Sequence, residues 1–284
     1  MEKVPQKLDK TRKKYYKDSP IAKLGERKPD FSTMDRKIKN PFAKRIIDLL
    51  KPFFPVAVKR IARLAALENL TYAADGFVTS HHVEFLNNDR FNYSYRGALK
   101  DVPELLRGTE IEWRAHICCW AASQAIHLEG DFIECGVWYG ILSKTICEYI
   151  EFSSQNRNFY LVDSWGKMPG SHAGANYQED IYDIVKKRFA KWPNVSLIRG
   201  LVPEALFRIP SQKVAYLSID MNGSEPEKAA LEYFYEKIVP GGVIYFDDYG
   251  WGYPELRYVV NEFFADKKES LLHFPSGNSI VVKL

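Results

Sequence analysis

Residues 130–140 read Gly130-Asp131-Phe132-Ile133-Glu134-Cys135-Gly136-Val137-Trp138-Tyr139-Gly140, and Ile141 to Ile150 follows with apolar residues at helical spacing. A short apolar run, two glycines and an apolar-periodic segment predict a buried strand that breaks into a glycine turn and opens a helix. The spacing is E-x-G-x-x-x-G, with Glu134 ahead of Gly136 and Gly140. It differs from G-x-G-x-x-G, the turn that offers a helix N-terminus to a pyrophosphate. An acid just before the turn suits a ligand with a cationic end and no phosphates.

A second apolar strand follows at 158–163, within Asn158-Phe159-Tyr160-Leu161-Val162-Asp163-Ser164. Asp163 falls where an open α/β sheet presents an acid to the ribose hydroxyls of an adenosine. A cationic end together with an adenosine describes S-adenosylmethionine. The alternation then continues with strand 132–137, helix 140–151, strand 158–163, helix 177–191 and strand 195–199. A short helix at 203–207, strand 214–219, helix 226–238, strand 243–246 and helix 254–267 complete it. Strand and helix in turn specify a mostly parallel α/β sheet. At the end, 270–274 and 279–283 are separated only by Pro275-Ser276-Gly277-Asn278, so these two strands must pair antiparallel. A mostly parallel, Rossmann-like sheet with one antiparallel C-terminal hairpin strand is the class I methyltransferase arrangement.

Upstream, Thr109-Glu110-Ile111-Glu112 fits a capping box, and Ile117, Trp120, Ala121, Gln124 and Leu128 give the helix after it one mostly apolar face ending at Gly130. Residues 72–100, rich in Asn, His and Tyr, read as irregular. Residues 42–51 and 56–70 read as two amphipathic helices separated by Pro52 and Pro55. Residues 1–40 read as a basic flexible tail. The expected division is therefore 1–40, a helical and irregular extension at 41–105, and the cofactor-binding domain at 106–284.

The net charge of +4 hides an asymmetry: residues 1–63 hold 19 Lys or Arg against 7 Asp or Glu, so the remainder is net acidic. The two ends are built for different partners. The four cysteines form no C-x-x-C pair and no zinc spacing, and no early apolar run could span a bilayer. These features indicate a cytoplasmic protein with free thiols. A 14% aromatic content leans toward a sugar, aromatic or lipid-linked partner.

Asp220 follows the strand at 214–219, and Asp247-Asp248 follow the strand at 243–246, so the three carboxylates should meet at the carboxyl edge of the sheet. Unpaired, they would repel. Oxygen ligands at that density suit a hard divalent cation, Mg²⁺ or Mn²⁺. The other reading has them cap helices, as Asp248 could at Pro254. His172, in the glycine-bearing stretch 168–176, is the histidine best placed for a general base, with an ordinary exposed loop residue as its alternative. His116 sits on an apolar helix and reads as packing. Trp165, Trp251 and Tyr253 flank the acidic strand ends, either as flat faces for a sugar ring or as packing.

Gly130 to Gly140, Val162-Asp163-Ser164, Ser218-Ile219-Asp220-Met221 and Pro240-Gly241-Gly242 through Asp247-Asp248-Tyr249-Gly250 together resemble the macrocin O-methyltransferase family. These are class I, S-adenosylmethionine-dependent sugar O-methyltransferases. The resemblance runs from about Tyr72 to the C-terminus. It implies a cofactor site of Glu134, Gly136, Val137, Trp138, Gly140, Asp163 and Ser164, and Mg²⁺ ligands at Asp220, Asp247 and Asp248. His172 and Asp220 are the expected catalytic residues. Met221-Asn222-Gly223-Ser224 departs from the antibiotic-sugar members, which carry a tyrosine and a different helix entry, so the acceptor is not transferred with the family. The expected activity is Mg²⁺-dependent methylation of a sugar or glycoconjugate hydroxyl. A phenolic or other small-molecule acceptor, or a noncatalytic cofactor-binding scaffold with a membrane-binding arm, are the alternatives. The basic arm suits an anionic membrane surface, hence a peripheral location, and lacks a nucleic-acid reading motif. A homo-oligomer is compatible with all of these readings.

Overall fold

The computed structural model describes residues 41–50, 70–166, 179–252 and 254–284. The chain divides into two units, Met1–Leu70 and Thr71–Leu284. In the first, helix α1 spans Pro41–Leu50 and exposes Phe42, Ile46 and Leu49. Residues 56–70, read as a second helix, lie outside the described residues except for Leu70.

The second unit opens with a hairpin, β1 (Tyr72–Ala74) and β2 (Phe77–Thr79), turning at Asp75-Gly76. Helix α2 (Asp89–Lys100) follows, capped by the Asn88 side chain, which accepts from the Phe91 amide at 2.9 Å. The irregular reading of 72–100 is thus overturned. Phe91, Tyr95 and Ala98 are buried in α2, but Asn, Arg and Lys interleaved among them mask the helical period.

Helix α3 spans Glu112–Ala125, so the capping box at Thr109 is also not used. The Tyr95 hydroxyl takes that role: it donates to the Thr109 carbonyl at 2.5 Å and accepts from the Ile111 amide at 3.0 Å. At the other end Arg157 donates to the carbonyls of Ala125, Ile126, Leu128 and Gly130, a long-range cap that the sequence spacing does not reveal.

From there the alternation is as expected: β3 (Asp131–Cys135), α4 (Ile141–Tyr149), β4 (Phe159–Asp163), α5 (Tyr182–Phe189), β5 (Val195–Arg199), β6 (Val214–Ile219), α6 (Ser224–Phe234), β7 (Ile238–Phe246), α7 (Pro254–Phe264), β8 (Leu272–His273) and β9 (Ser279–Val282). The sheet order is β5-β4-β3-β6-β7-β9-β8, with β9 antiparallel to β7 and β8 and the other pairs parallel. Along the buried strands successive residues serve opposite faces. Phe132, Tyr216 and Tyr245 join the core beneath α2 to α5, whereas Ile133, Leu217, Ile244 and Phe246 join the core beneath α6 and α7. All four cysteines are free and buried. Among the described residues, no helix is long and apolar enough to cross a membrane.

Candidate active site

β3 is flanked by β4 and β6, the point at which the chain reverses its direction of travel across the sheet. Crevices in open α/β sheets form there, beyond the carboxyl ends of the strands. The turn after β3 carries positive φ at Gly136 (86°), Trp138 (51°) and Gly140 (68°). Protein packing by itself already requires the two glycines. A Cβ on Gly136 would stand 1.7 Å from the Asp220 backbone oxygen, and one on Gly140 would stand 2.5 Å from the Phe189 ring.

Asp163 holds this turn. One carboxylate oxygen accepts the amides of Val137 (2.7 Å) and Trp138 (2.9 Å), and the other accepts that of Trp165 (2.9 Å). The Trp165 indole donates back to the Trp138 carbonyl at 2.9 Å, and the ring is fully buried. Trp165 is therefore packing, and the reading of it as a face for a sugar ring is wrong: it lies beneath the turn. Ser164 Oγ donates to the Gly166 carbonyl at 3.1 Å.

Glu134 lies inside β3 at 2% exposure, and its Oε2 has no hydrogen-bond partner among the described residues. Burial raises its carboxyl to about 8, with Asp247 and Asp163 adding to the effect. A buried acid with an orphaned oxygen fits a cationic ligand group, which would supply the missing partner and the charge.

Asp220, Asp247 and Asp248 converge as expected, with carboxylate oxygens of all three within 4.8 Å of one another. Loss of water and then the charges of Asp247 and Asp248 push Asp220 well above the usual carboxylate range, against the pull of Arg114. Burial and then Asp247 raise Asp248 to about 7, again opposed by Arg114. A donor set of three mutually repelling carboxylates fits a hard divalent cation.

Several residues of this centre were not legible in the sequence. The Tyr245 hydroxyl donates to Asp247 Oδ1 at 2.6 Å and accepts from Asn278 Nδ2 at 2.9 Å, which ties Asp247 to the turn between β8 and β9. Glu227, buried in α6, accepts the Met221 amide at 3.3 Å and so braces the loop after Asp220. Burial lifts its carboxyl to about 8, with Asp248 adding to this and the Met221 and Asn222 amides opposing it. Arg114 pairs with Asp247 and, through the rest of its guanidinium, with Asp75. It is the only Lys or Arg in α3, and a lone cation in an apolar helix is a signal that a buried counter-charge exists. Trp251 is 37% exposed and covers the guanidinium with its ring 4.8 Å away. His116 stacks on Phe85 at 4.0 Å, a packing residue as expected. His172 and Tyr253 lie outside the described residues.

The strand order, the antiparallel β9 and the acidic edge define a class I methyltransferase fold. The profile of the macrocin-O-methyltransferase (TylF) family matches residues 47–271, and the chain belongs to that family. It is accordingly an S-adenosylmethionine-dependent O-methyltransferase. Among solved structures, the O-methyltransferase NovP superposes with a TM-score of 0.55 at 18% identity, over 71% of this chain and 99% of that one. The calicheamicin methyltransferase CalS11 is also similar, with a TM-score of 0.49 at 15% identity over 71% of this chain and 94% of that one. No curated protein sequence matches the chain.

Proposed function

We propose that the enzyme moves the methyl group of S-adenosylmethionine to a hydroxyl of a sugar or glycoconjugate, with a divalent cation held by Asp220, Asp247 and Asp248. The observation that carries this reading is the convergence of three carboxylates within 4.8 Å at the sheet edge that also holds the orphaned oxygen of Glu134. The sugar is supported by membership of the macrocin-O-methyltransferase family.

Glu134 receives the ammonium of the methionine part. The turn at 136–140, set by Asp163, shapes the cavity around the methionine, and Asp163 and Ser164 serve the ribose. The acceptor oxygen attacks the methyl carbon in line with the carbon–sulfur bond, which breaks and leaves neutral S-adenosylhomocysteine. When bound, the cation supplies acidification of the acceptor hydroxyl. His172 is the base that removes the hydroxyl proton, and Asp220, which keeps part of its surface open where Asp247 and Asp248 are buried, is the carboxylate assigned to the acceptor.

The test is mass spectrometry of products after incubation with S-adenosylmethionine, Mg²⁺ and a library of sugar, glycoconjugate and phenolic acceptors. Methylated sugar whose formation stops in excess EDTA supports the reading. Full turnover in EDTA refutes the catalytic cation, methylated phenols alone refute the sugar acceptor, and bound cofactor without any turnover indicates a scaffold.

A further inference from the structure

The acid cluster contains a cation of its own, supplied from 133 residues away in sequence. Arg114 divides its guanidinium between two partners. Nε and Nη2 seat on Asp75 Oδ2 and Oδ1 at 2.8 and 2.9 Å, a bidentate grip. Nη1 donates to Asp247 Oδ2 and stands 3.8 Å from Asp248 Oδ1. The side chains of Asp75, Arg114 and Asp247 are 4%, 11% and 6% exposed, so solvent and salt screen these charges little.

Asp75 is itself held. It sits at the tip of the β1–β2 hairpin, which is fastened to the first turn of α3 by the Tyr72 hydroxyl on Glu112 (3.2 Å) and by Phe77 edge-on against Trp113 (5.9 Å). The hairpin and the helix therefore carry the Asp75–Arg114 pair as one piece, while Nη1 reaches across to the strand ends. The oxygen that Nη1 takes belongs to Asp247, one of the three residues assigned above to the divalent cation. A guanidinium N–H and a metal ion cannot share one carboxylate lone pair.

Resting on that assignment, we propose that Arg114 is a tethered competitor for the divalent cation: Asp75 keeps the guanidinium in place, and Nη1 occupies Asp247 until a cation displaces it. The two partners of this ion pair then act in opposite directions. Removing Arg114 removes the competitor and tightens cation binding. Removing the charge of Asp75 leaves the guanidinium wholly to the cluster and weakens cation binding. A purely structural ion pair would weaken it in both cases.

The experiment measures Mn²⁺ binding to the full-length protein by titration calorimetry, with thermal melts confirming that each variant is folded. Asp75→Asn is compared with the double variant Asp75→Asn/Arg114→Met, which leaves no unpaired charge on the hairpin side and frees the cluster carboxylates for the cation. Loss of one like charge a few ångströms from the ion is expected to tighten Mn²⁺ binding in the double variant by at least about tenfold. Asp75→Asn is expected to weaken binding several-fold, and Asp220→Asn to abolish it in every background. Binding that weakens or stays constant in the double variant, while remaining sensitive to Asp220→Asn, overturns the role of Arg114 and leaves the cation assignment standing. No Mn²⁺ binding by either wild type or the double variant overturns both.

Discussion

The carboxylate of Asp163, the last residue of β4, accepts the backbone amide of Val137 in the neighbouring turn at 2.7 Å. Through this bond and its companion to Trp138, the acid at one strand end sets the shape of the glycine turn at the next. Replacement by Ala leaves two amides of the turn without their acceptor, and each such group costs roughly 1–3 kcal/mol when buried. Asp163→Ala is expected to lower the melting temperature and to weaken S-adenosylmethionine binding in calorimetry, with Asp163→Asn intermediate. Unchanged cofactor affinity in the Ala variant, or binding of NAD in its place, would remove Asp163 from the cofactor site.

Glu134 makes the apoenzyme sensitive to pH. Its folded carboxyl lies near 8 against an ordinary value of 4.5, so between these pH values the native state holds a proton that the unfolded state has lost. Stability must then fall as pH rises from about 4.5 to about 8 and level off above, with Glu227 adding to the same slope. Glu134→Gln is expected to melt with a shallower pH dependence. A cationic cofactor favours the ionised form, so binding at pH 7 should release a proton, detectable as different calorimetric enthalpies in buffers of different ionisation enthalpy. Proton uptake, or none exchanged, contradicts the placement of the ammonium on Glu134.

Two glycines should respond in opposite senses. At Gly136, a Cβ meets the Asp220 backbone at 1.7 Å with φ at 86°, and overpacking together with the strained conformation costs on the order of 3 kcal/mol or more. Gly136→Ala should therefore express poorly or melt far below wild type. Gly97, inside α2, has nothing within 4 Å of a Cβ, and Ala there should stabilise the protein by about 0.5–1 kcal/mol. Chemical denaturation of the two variants measures both effects, and equal midpoints would contradict the packing described for the turn.

The basic arm is expected to bind anionic membrane reversibly. Residues 1–63 carry an excess of 12 positive charges, and α1 exposes Phe42, Ile46 and Leu49 at the i, i+4, i+7 spacing of one helix face. Each Lys or Arg at such a surface contributes about 1 kcal/mol, and shallow insertion of the apolar face adds to it. Co-sedimentation with phosphatidylserine vesicles at low salt should exceed that of a protein beginning near Tyr72. Equal binding by the two would assign the arm to solvation alone.

The succession of strands and helices was written locally. Val195–Arg199 and Val214–Ile219 form strands over the residues expected of them; the second is buried along its whole length, as an unbroken apolar run in a parallel sheet should be, and the first is a half-buried edge strand. The antiparallel β9 followed from a four-residue connection too short to cross the sheet. The convergence of Asp220, Asp247 and Asp248 followed in turn from their positions just past parallel strand ends. What tertiary structure alone decided is partnership at long range. Arg114 announces in sequence that it needs a buried counter-charge, yet whether Asp75, Asp247 or any other acid provides it depends on where a hairpin and a strand end come to rest. Tyr95 displaced a local capping box, and Arg157 capped a helix it does not belong to, because a well-placed distant donor or acceptor satisfies a backbone group as well as a near one. Gly136 and Gly140 carried a motif whose spacing was read as room for a ligand. Only the packed structure shows that, besides, the place a Cβ would take at each is filled by Asp220 and Phe189.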